Sequence, residues 1–441
     1  MKQTLLLLFW AVAAAQAAEP DWKPIEDRAV TFLQRYLRIQ SVNPPADSRE
    51  AAEFFKKELE AAGFQPKLYV TDAATGKVNL LVRLEGKDRT KKPLLLLNHF
   101  DVVPVDRKAW SVEPFEGIIK DGWIWGRGAM DMKGTGTIHL FSMLTMKAMG
   151  EKPPRDVLML VTADEETNGT YGIRTMIRDH WADIECEYVL DEGGFGSRDM
   201  FTTGGKLAFG ISVAEKQAFW LRLKAKGTAA HGSQPIAENA NMILLDAIAK
   251  ALALPDRGNQ NEVVARMREN LQQMAANKFT NAIQKNTISL TTLTSGVGSP
   301  VKINVIPSAA EATLDCRLLP GVSSAEFLSE VKARINDPRV TVEVASDPAD
   351  PGASKMDTPL FAALKKALLT QHPDAVVTPI LIPYGTDSVR LRQKGVTAYG
   401  FTPMVVDAAT VATMHSDEER IPVSEFKKGI RIFYELLKSD F

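Results

Sequence analysis

The chain runs to 441 residues, of which 45% are apolar and 24% charged, with a formal net charge of −1. At ~100–200 residues per domain such a length holds two or three domains, and the proportions exclude a collagen-like, disordered or many-span membrane protein. Near-neutral charge gives no electrostatic reason to bind nucleic acid.

The first element is an apolar run, 5–15, behind Lys2 and ahead of the small-x-small triplet Ala15-Gln16-Ala17. It is too short to span a bilayer, and its flanks are those of a signal peptide over residues 1–17. No cysteine follows to carry a lipid. The expectation is an exported chain, periplasmic or secreted, without a stable membrane anchor. Cys186 and Cys316 are too few for a disulfide framework or a thiolate metal site, so both are expected as buried thiols. Any metal must then be held by imidazole and carboxylate.

From Trp22 to about Gly210, helix-like and strand-like segments alternate. Residues 25–37 and 49–62 read as helices, and 79–84, 93–97, 157–161 and 188–190 as short continuous apolar strands. Buried strands between helices imply an α/β domain, a mainly parallel sheet sandwiched by helices. Beyond residue 211 the apolar period drops to two. Phe219, Leu221, Leu223 and Ala225 share one face of 218–226, and Ala312, Leu314, Cys316 and Leu318 one face of 311–318. With helices predicted over 239–252 and 262–277, this reads as a small half-exposed sheet covered on one side. The Asp-, Pro- and Gly-rich loop 346–354 marks a boundary. A helix over 359–370, strands over 376–382 and 397–401 and a helix over 424–437 then follow. The expected organisation is an α/β domain over 18–212 and 346–441, interrupted by a smaller α+β domain over 213–345.

Six histidines are few enough to weigh singly. His139, His180 and His372 need no explanation beyond a core or surface imidazole. His99 ends an apolar strand in Asn98-His99-Phe100-Asp101, where open α/β sheets place their sites. Asp101 stands two residues on, placed to orient that imidazole through its carboxylate. Asp131 lies in the glycine-rich turn 126–134 that opens a helix, and Asp164-Glu165-Glu166 follow the strand 157–161. Asp191-Glu192-Gly193 close another strand, and His415 stands in Met414-His415-Ser416-Asp417. Any one of these acids suits a helix N-terminus. Three in succession repel one another unless a cation intervenes. Oxygen and nitrogen donors without thiolate suit catalytic Zn²⁺, or Mn²⁺ or Co²⁺. Two imidazoles with this many carboxylates exceed one tetrahedral ion and suit two ions ~3.5–4 Å apart with a shared carboxylate.

These five segments, in this order along the mature chain, resemble the dinuclear zinc peptidase and amidohydrolase family of aminoacylase, carboxypeptidase G, acetylornithine deacetylase and yeast carboxypeptidase S. The resemblance implies two Zn²⁺ per subunit, with His99 on one, Glu166 and His415 on the other, and Asp131 bridging. The second carboxylate of the first ion is Asp191 or Glu192; the Asp-Glu-Gly pattern selects Glu192 and leaves Asp191 open. Glu165 falls on the general base, which carries a proton from water to the leaving amine. A cis peptide after Asp131 is implied too. In the inserted domain, a lid and dimerisation domain by resemblance, His231 corresponds to a histidine that reaches the partner subunit's active site. The stretch 262–277 is either that domain's second helix or an enlargement of it. Asn304 corresponds to a substrate-contacting asparagine, and Gly385-Thr386-Asp387 to a loop beside the substrate. Arg317, on the open face of its strand, suits bidentate pairing with a substrate carboxylate, or plain solvation. The expected protein is an exported homodimeric zinc hydrolase that releases a C-terminal amino acid from small peptides or N-acyl-amino acids. An aminopeptidase or dipeptidase is the alternative; a catalytically silent binding module is disfavoured because every position is filled.

Overall fold

The strands Leu94–His99, Val157–Thr162 and Tyr188–Asp191 carry no exposed residue in the computed structural model, which describes residues 19–255, 261–346 and 350–441. The signal peptide expected over 1–17 lies outside the described residues. Side chains alternate across a strand, so Leu94, Leu96, Met159 and Leu190 enter one core while Leu95, Leu97, Leu158 and Val189 enter another. A sheet apolar on both faces needs helices on both. Trp22–Leu37, Arg49–Ala61, Gly134–Ala148, Pro359–Gln371 and Val423–Lys438 cover the first face. Ile173–Asp179 and Ser388–Arg392 cover the second.

The sheet runs Lys67–Asp72, Lys77–Leu84, Val157–Thr162, Leu94–His99, Tyr188–Asp191, Thr397–Gly400, Ala208–Glu215, Val376–Ile382, with Gly196–Ser197 beside Ala208–Glu215. It is mixed. The centre is parallel, as expected, but the Lys67–Asp72 side is antiparallel and so is the junction of Thr397–Gly400 with Ala208–Glu215. A four-residue link between Lys67–Asp72 and Lys77–Leu84 allows a hairpin and forbids a parallel crossover. Three adjacent parallel strands therefore end together. His99 pairs with Thr162 in register, so the acids 164–166 emerge beside it, and Asp191 closes the next strand.

The second sheet has the order Thr287–Ser295, Ala309–Leu318, Gln217–Lys226, Val340–Val344, all antiparallel. Its buried face is the one the period of two predicts, packed on the helices Ala240–Leu252 and Ser324–Ile335. Two boundaries differ from expectation. Ala208–Glu215 stays within the large sheet to Glu215, so the crossing falls at Lys216. The helix expected over 262–277 stops at Leu271, where Gln272 takes a φ of 60°, and a short helix Lys278–Ala282 follows. Val263, Met267, Leu271, Phe279 and Ile283 pack into the large sheet's core rather than the small one's. The chain from 262 to 283 thus belongs with the larger body, although it lies within the 213–345 interval. At the crossing, Lys216 is buried and its Nζ donates to the carbonyls of Ala282 and Lys285, tying the two connections together. Cys186 and Cys316 are free and buried in different cores. Among the described residues no helix is long and apolar enough to cross a membrane.

Candidate metal centre

Strand ends supply half of the site and turns the other half. Asp131 sits between Gly128, at φ 86°, and the helix Gly134–Ala148, and the Asp131–Met132 peptide is cis, as the resemblance implied. His415 lies in the loop after the helix Ala408–Val411 with a φ of 58°, a left-handed conformation that non-glycine residues adopt mainly at turns and functional sites. Glu192 leaves its strand into Gly193, whose φ of 124° no side chain adopts readily and whose Cβ would meet Ile382 at 2.9 Å.

The donors gather into two triads. Ligand atoms of His99, Asp131 and Glu192 lie within 4.8 Å of one another, as do those of Asp131, Glu166 and His415. Asp131 belongs to both, one oxygen to each: Oδ1 is 3.1 Å from His99 Nε2, and Oδ2 is 2.8 Å from His415 Nε2. His99 Nε2 is 3.7 Å from Glu192 Oε1, and His415 Nε2 3.2 Å from Glu166 Oε2. The choice left open between neighbours falls to Glu192. Asp191 joins neither triad; its Oδ2 accepts from the amide and the hydroxyl of Ser388 at 3.1 and 2.7 Å. Glu165 joins neither triad, as a proton carrier requires.

The donor set fits divalent cations on observations of the chain itself. Glu166 Oε1 is buried and has no hydrogen-bond partner. Burial, then the nearby charges of Asp131 and Glu165, push the Glu192 carboxyl well above the ordinary range. Glu165 is pushed up by burial first, and by Asp387, Glu166 and Asp131 against the opposing His99. Hydrogen bonds to Asp131 and then Glu166 raise His415 to about 10. So many acids in one low-dielectric pocket ionise together only with added positive charge.

The orienting groups differ from expectation in one place and exceed it in another. His99 Nδ1 donates to the backbone carbonyl of Asp101 at 2.9 Å, while the carboxylate stands off at 3.6 Å. A carbonyl only accepts, so Nδ1 keeps its proton, and Nε2, hydrogen-bonded to Asp131 Oδ1 at 3.1 Å, is the nitrogen left to shed its proton and ligate an ion. The Asp101 carboxylate is engaged elsewhere: it accepts from the amides of Glu165 and Glu166, both at 3.1 Å, and from Asn43 Nδ2 at 2.7 Å. Asp101 therefore positions the base loop with its side chain and His99 with its backbone. Unforeseen is Glu419, fully buried, which accepts from the amides of Gly128, Met130 and Asp131 and pairs with buried Arg127. Arg127 also donates to the carbonyl of Ser416, so one ion pair locks the Asp131 turn to the His415 loop.

The residues expected around the substrate do not gather in one place. The amide of Thr386, beside Gly385, donates to the buried Glu215 at the sheet crossing, and Glu215 pairs with Arg392. His231 and Asn304 are neighbours on the small domain, since Ala230–His231 pairs with Val305–Ile306, and both are exposed. The Ser233 amide donates to His231 Nδ1 at 3.2 Å, which puts the imidazole's own proton on Nε2. Arg317 does not join Asn304 in one clamp. It stands at the opposite end of Ala309–Leu318, eight residues or ~26 Å from the Ala309 end. Its guanidinium grips Asp315 at 2.8 and 3.1 Å.

Peptidase family M20/M25/M40 matches residues 95–439. Human aminoacylase-1 is 28% identical over 418 residues, covering 93% of this chain and 95% of its own. A probable carboxypeptidase S-like protein of Dictyostelium discoideum is 29% identical over 429 residues, 88% of this chain and 81% of the relative. The crystal structure of an M20 family metallo-carboxypeptidase from Sulfolobus solfataricus superposes with a TM-score of 0.71 at 18% identity, over 94% and 98% of the two chains. With two donor triads sharing Asp131 and a match that spans most of its length, the chain belongs to peptidase family M20/M25/M40, a metallopeptidase or amidohydrolase by descent and by site.

Proposed function

We propose that the protein is an exported two-zinc hydrolase that releases a C-terminal amino acid from small peptides or N-acyl-amino acids. The observation that carries the reading is a carboxylate, Glu165, set beside two triads without belonging to either. His99, Asp131 and Glu192 would hold one ion, and Asp131, Glu166 and His415 the other. Held there, two such ions would supply Lewis acidity toward an amide carbonyl and would lower a water's pKa toward ~7. Glu165 takes the water's proton as the new C–O bond forms and hands it to the amine nitrogen as the C–N bond breaks. Asp101 keeps the Glu165 backbone in place through both transfers. The signal-like segment 1–17 supports export. The aminoacylase-1 and carboxypeptidase S-like relatives support the substrate side, because an aminoacylase and a carboxypeptidase both leave a free carboxylate on the amine product. In this reading Arg317 would bind that carboxylate, giving up Asp315 to do so.

The test compares one peptide as the free acid, the C-terminal amide and the N-acylated acid, with hydrolysis followed by mass spectrometry. Amidation is expected to abolish cleavage and N-acylation to leave it intact. Cleavage of the amide together with refusal of the N-acylated acid makes the enzyme an aminopeptidase instead.

A homodimer belongs to the same proposal. The edge strand Thr287–Ser295 pairs on one side only among the described residues, and Leu290 and Leu293 on it and Met242 and Leu245 on the neighbouring helix are exposed. An open apolar edge of this kind is a template for pairing with another chain, which supports a dimer. A second copy would bring His231 and Asn304 to the first copy's centre, with the His231 Nε2 proton free to stabilise an oxyanion. Mixing His231→Ala with Glu165→Gln is therefore expected to restore about one quarter of the wild-type rate, since half the dimers are mixed and each carries one complete site. Proven subunit exchange without recovered activity removes His231 from the partner's site.

A further inference from the structure

An apolar cavity opens against the metal-ligand cluster, and the ligand-bearing segments themselves build it. Met130 precedes Asp131, Met414 precedes His415, and Phe195 follows Glu192 by three residues; with Met404, Val406 and Val411 they line a space of about 30 Å³. Phe195, Met404 and Val406 are buried and form its fixed wall, whereas Met130, Val411 and Met414 are only half-buried. Its polar groups are few, the Thr402 side chain, the Tyr384 hydroxyl and one carboxylate. The Tyr384 hydroxyl donates to the carbonyl of Gly193 at 3.3 Å, and the one carboxylate on the wall, Glu192, belongs to the His99 triad. No lysine, arginine or histidine lines it.

Those facts constrain any occupant. A charged group would be desolvated there without a partner, so the occupant is neutral and apolar. A water-sized group needs ~10–15 Å³ by the same measure, so the space takes two to three such groups. A long fatty chain or an indole does not fit. Because Glu192 is both a wall of the cavity and a member of a triad, whatever fills it sits next to the bond being hydrolysed. We propose that this cavity is the specificity pocket for a short aliphatic group, about two to three carbons or a short thioether, flanking the scissile amide. The inference rests on the amide-hydrolase reading above. Three methionines in the lining give the pocket tolerance between straight and branched chains of similar volume.

The experiment uses the metal-loaded full-length enzyme and two substrate series read as kcat/KM. One lengthens the acyl chain from acetyl to decanoyl on a fixed amino acid; the other varies the side chain of N-acetyl-amino acids from glycine through alanine, valine, leucine and methionine to tryptophan. One series is expected to rise about fourfold per carbon, the worth of a buried methylene, up to about two or three carbons in the cavity and then to fall. In that series Val411→Phe should collapse the advantage of the best substrate over the smallest by tenfold or more. Met404→Ala should move the optimum two to three carbons longer; Val411→Ala serves the same purpose should Met404→Ala lower the melting temperature. Hydrolysis that is flat along both series, or optima that none of these variants moves, overturns the pocket and leaves the amide-hydrolase reading standing. No hydrolysis of any member overturns both.

Discussion

Glu165→Gln is expected to keep both metal ions and lose catalysis, kcat falling by ~10²–10⁴. Glutamine matches the shape of the side chain, and the backbone amide that Asp101 holds is untouched. What disappears is the ability to accept a proton. Because Glu165 stands outside both triads, metal content measured on the purified variant should equal that of the wild type. Stability adds a second readout. Burial raises the folded-state pKa of Glu165 above its unfolded value, so the folded chain binds more protons and stability falls as pH rises through that interval. The metal-free variant escapes this penalty, and at pH 7 it should melt no lower than the metal-free wild type. Loss of metal along with activity would instead make Glu165 a ligand and leave the reaction without an identified base.

The strand ends that build the site were legible because their sequences are continuous apolar runs, and a run such as Leu94-Leu95-Leu96-Leu97 has one plausible environment. Histidine and acids directly after such runs are conspicuous. Choosing between Asp191 and Glu192 was harder, since adjacent residues at a strand end face opposite ways and only the register decides. The structure turns Asp191 to Ser388, 197 residues away in sequence, and sends Glu192 to the metal centre. The spacing of Asp101 from His99 marks it as an orienting residue, but spacing says nothing about whether carbonyl or carboxylate meets the ring. Glu419 was hidden in the acidic run Asp417-Glu418-Glu419, which reads as a solvated loop; its partner Arg127 lies 292 residues earlier and leaves no local mark. The placement of 262–283 is hidden from the sequence for a related reason. Helical periodicity shows that Val263, Met267 and Leu271 face something apolar, and it cannot name which of two cores that is. Nothing in Leu271-Gln272-Gln273 supplies the glycine or proline that usually signals a helix end.

Asp131→Ala is expected to empty the centre rather than merely slow it. Each of its oxygens serves a different triad, so one substitution leaves two donors in each, His99 with Glu192 and Glu166 with His415. Two protein donors are fewer than the three of a catalytic zinc site. The graded controls follow from the same geometry. Wild type should bind two ions, Glu192→Gln one, because Asp131, Glu166 and His415 remain intact, and Asp131→Ala none. Melting curves report the same series, since a ligand at one hundred times its dissociation constant stabilises by ~2.7 kcal/mol and a variant that binds nothing gains nothing. The pH dependence fixes the assignment further. In the metal-free wild type the hydrogen bond to Asp131 comes first in raising His415 to about 10, so the ring is protonated at neutral pH and must shed that proton to coordinate. Metal uptake should therefore release protons, and affinity should fall as pH falls. In Asp131→Ala that contribution is gone, and the His415 titration followed by NMR should move down toward the ordinary imidazole value. Two tightly held ions in Asp131→Ala, or a His415 titration unmoved by the change, would show that Asp131 neither bridges the centre nor charges the imidazole beside it.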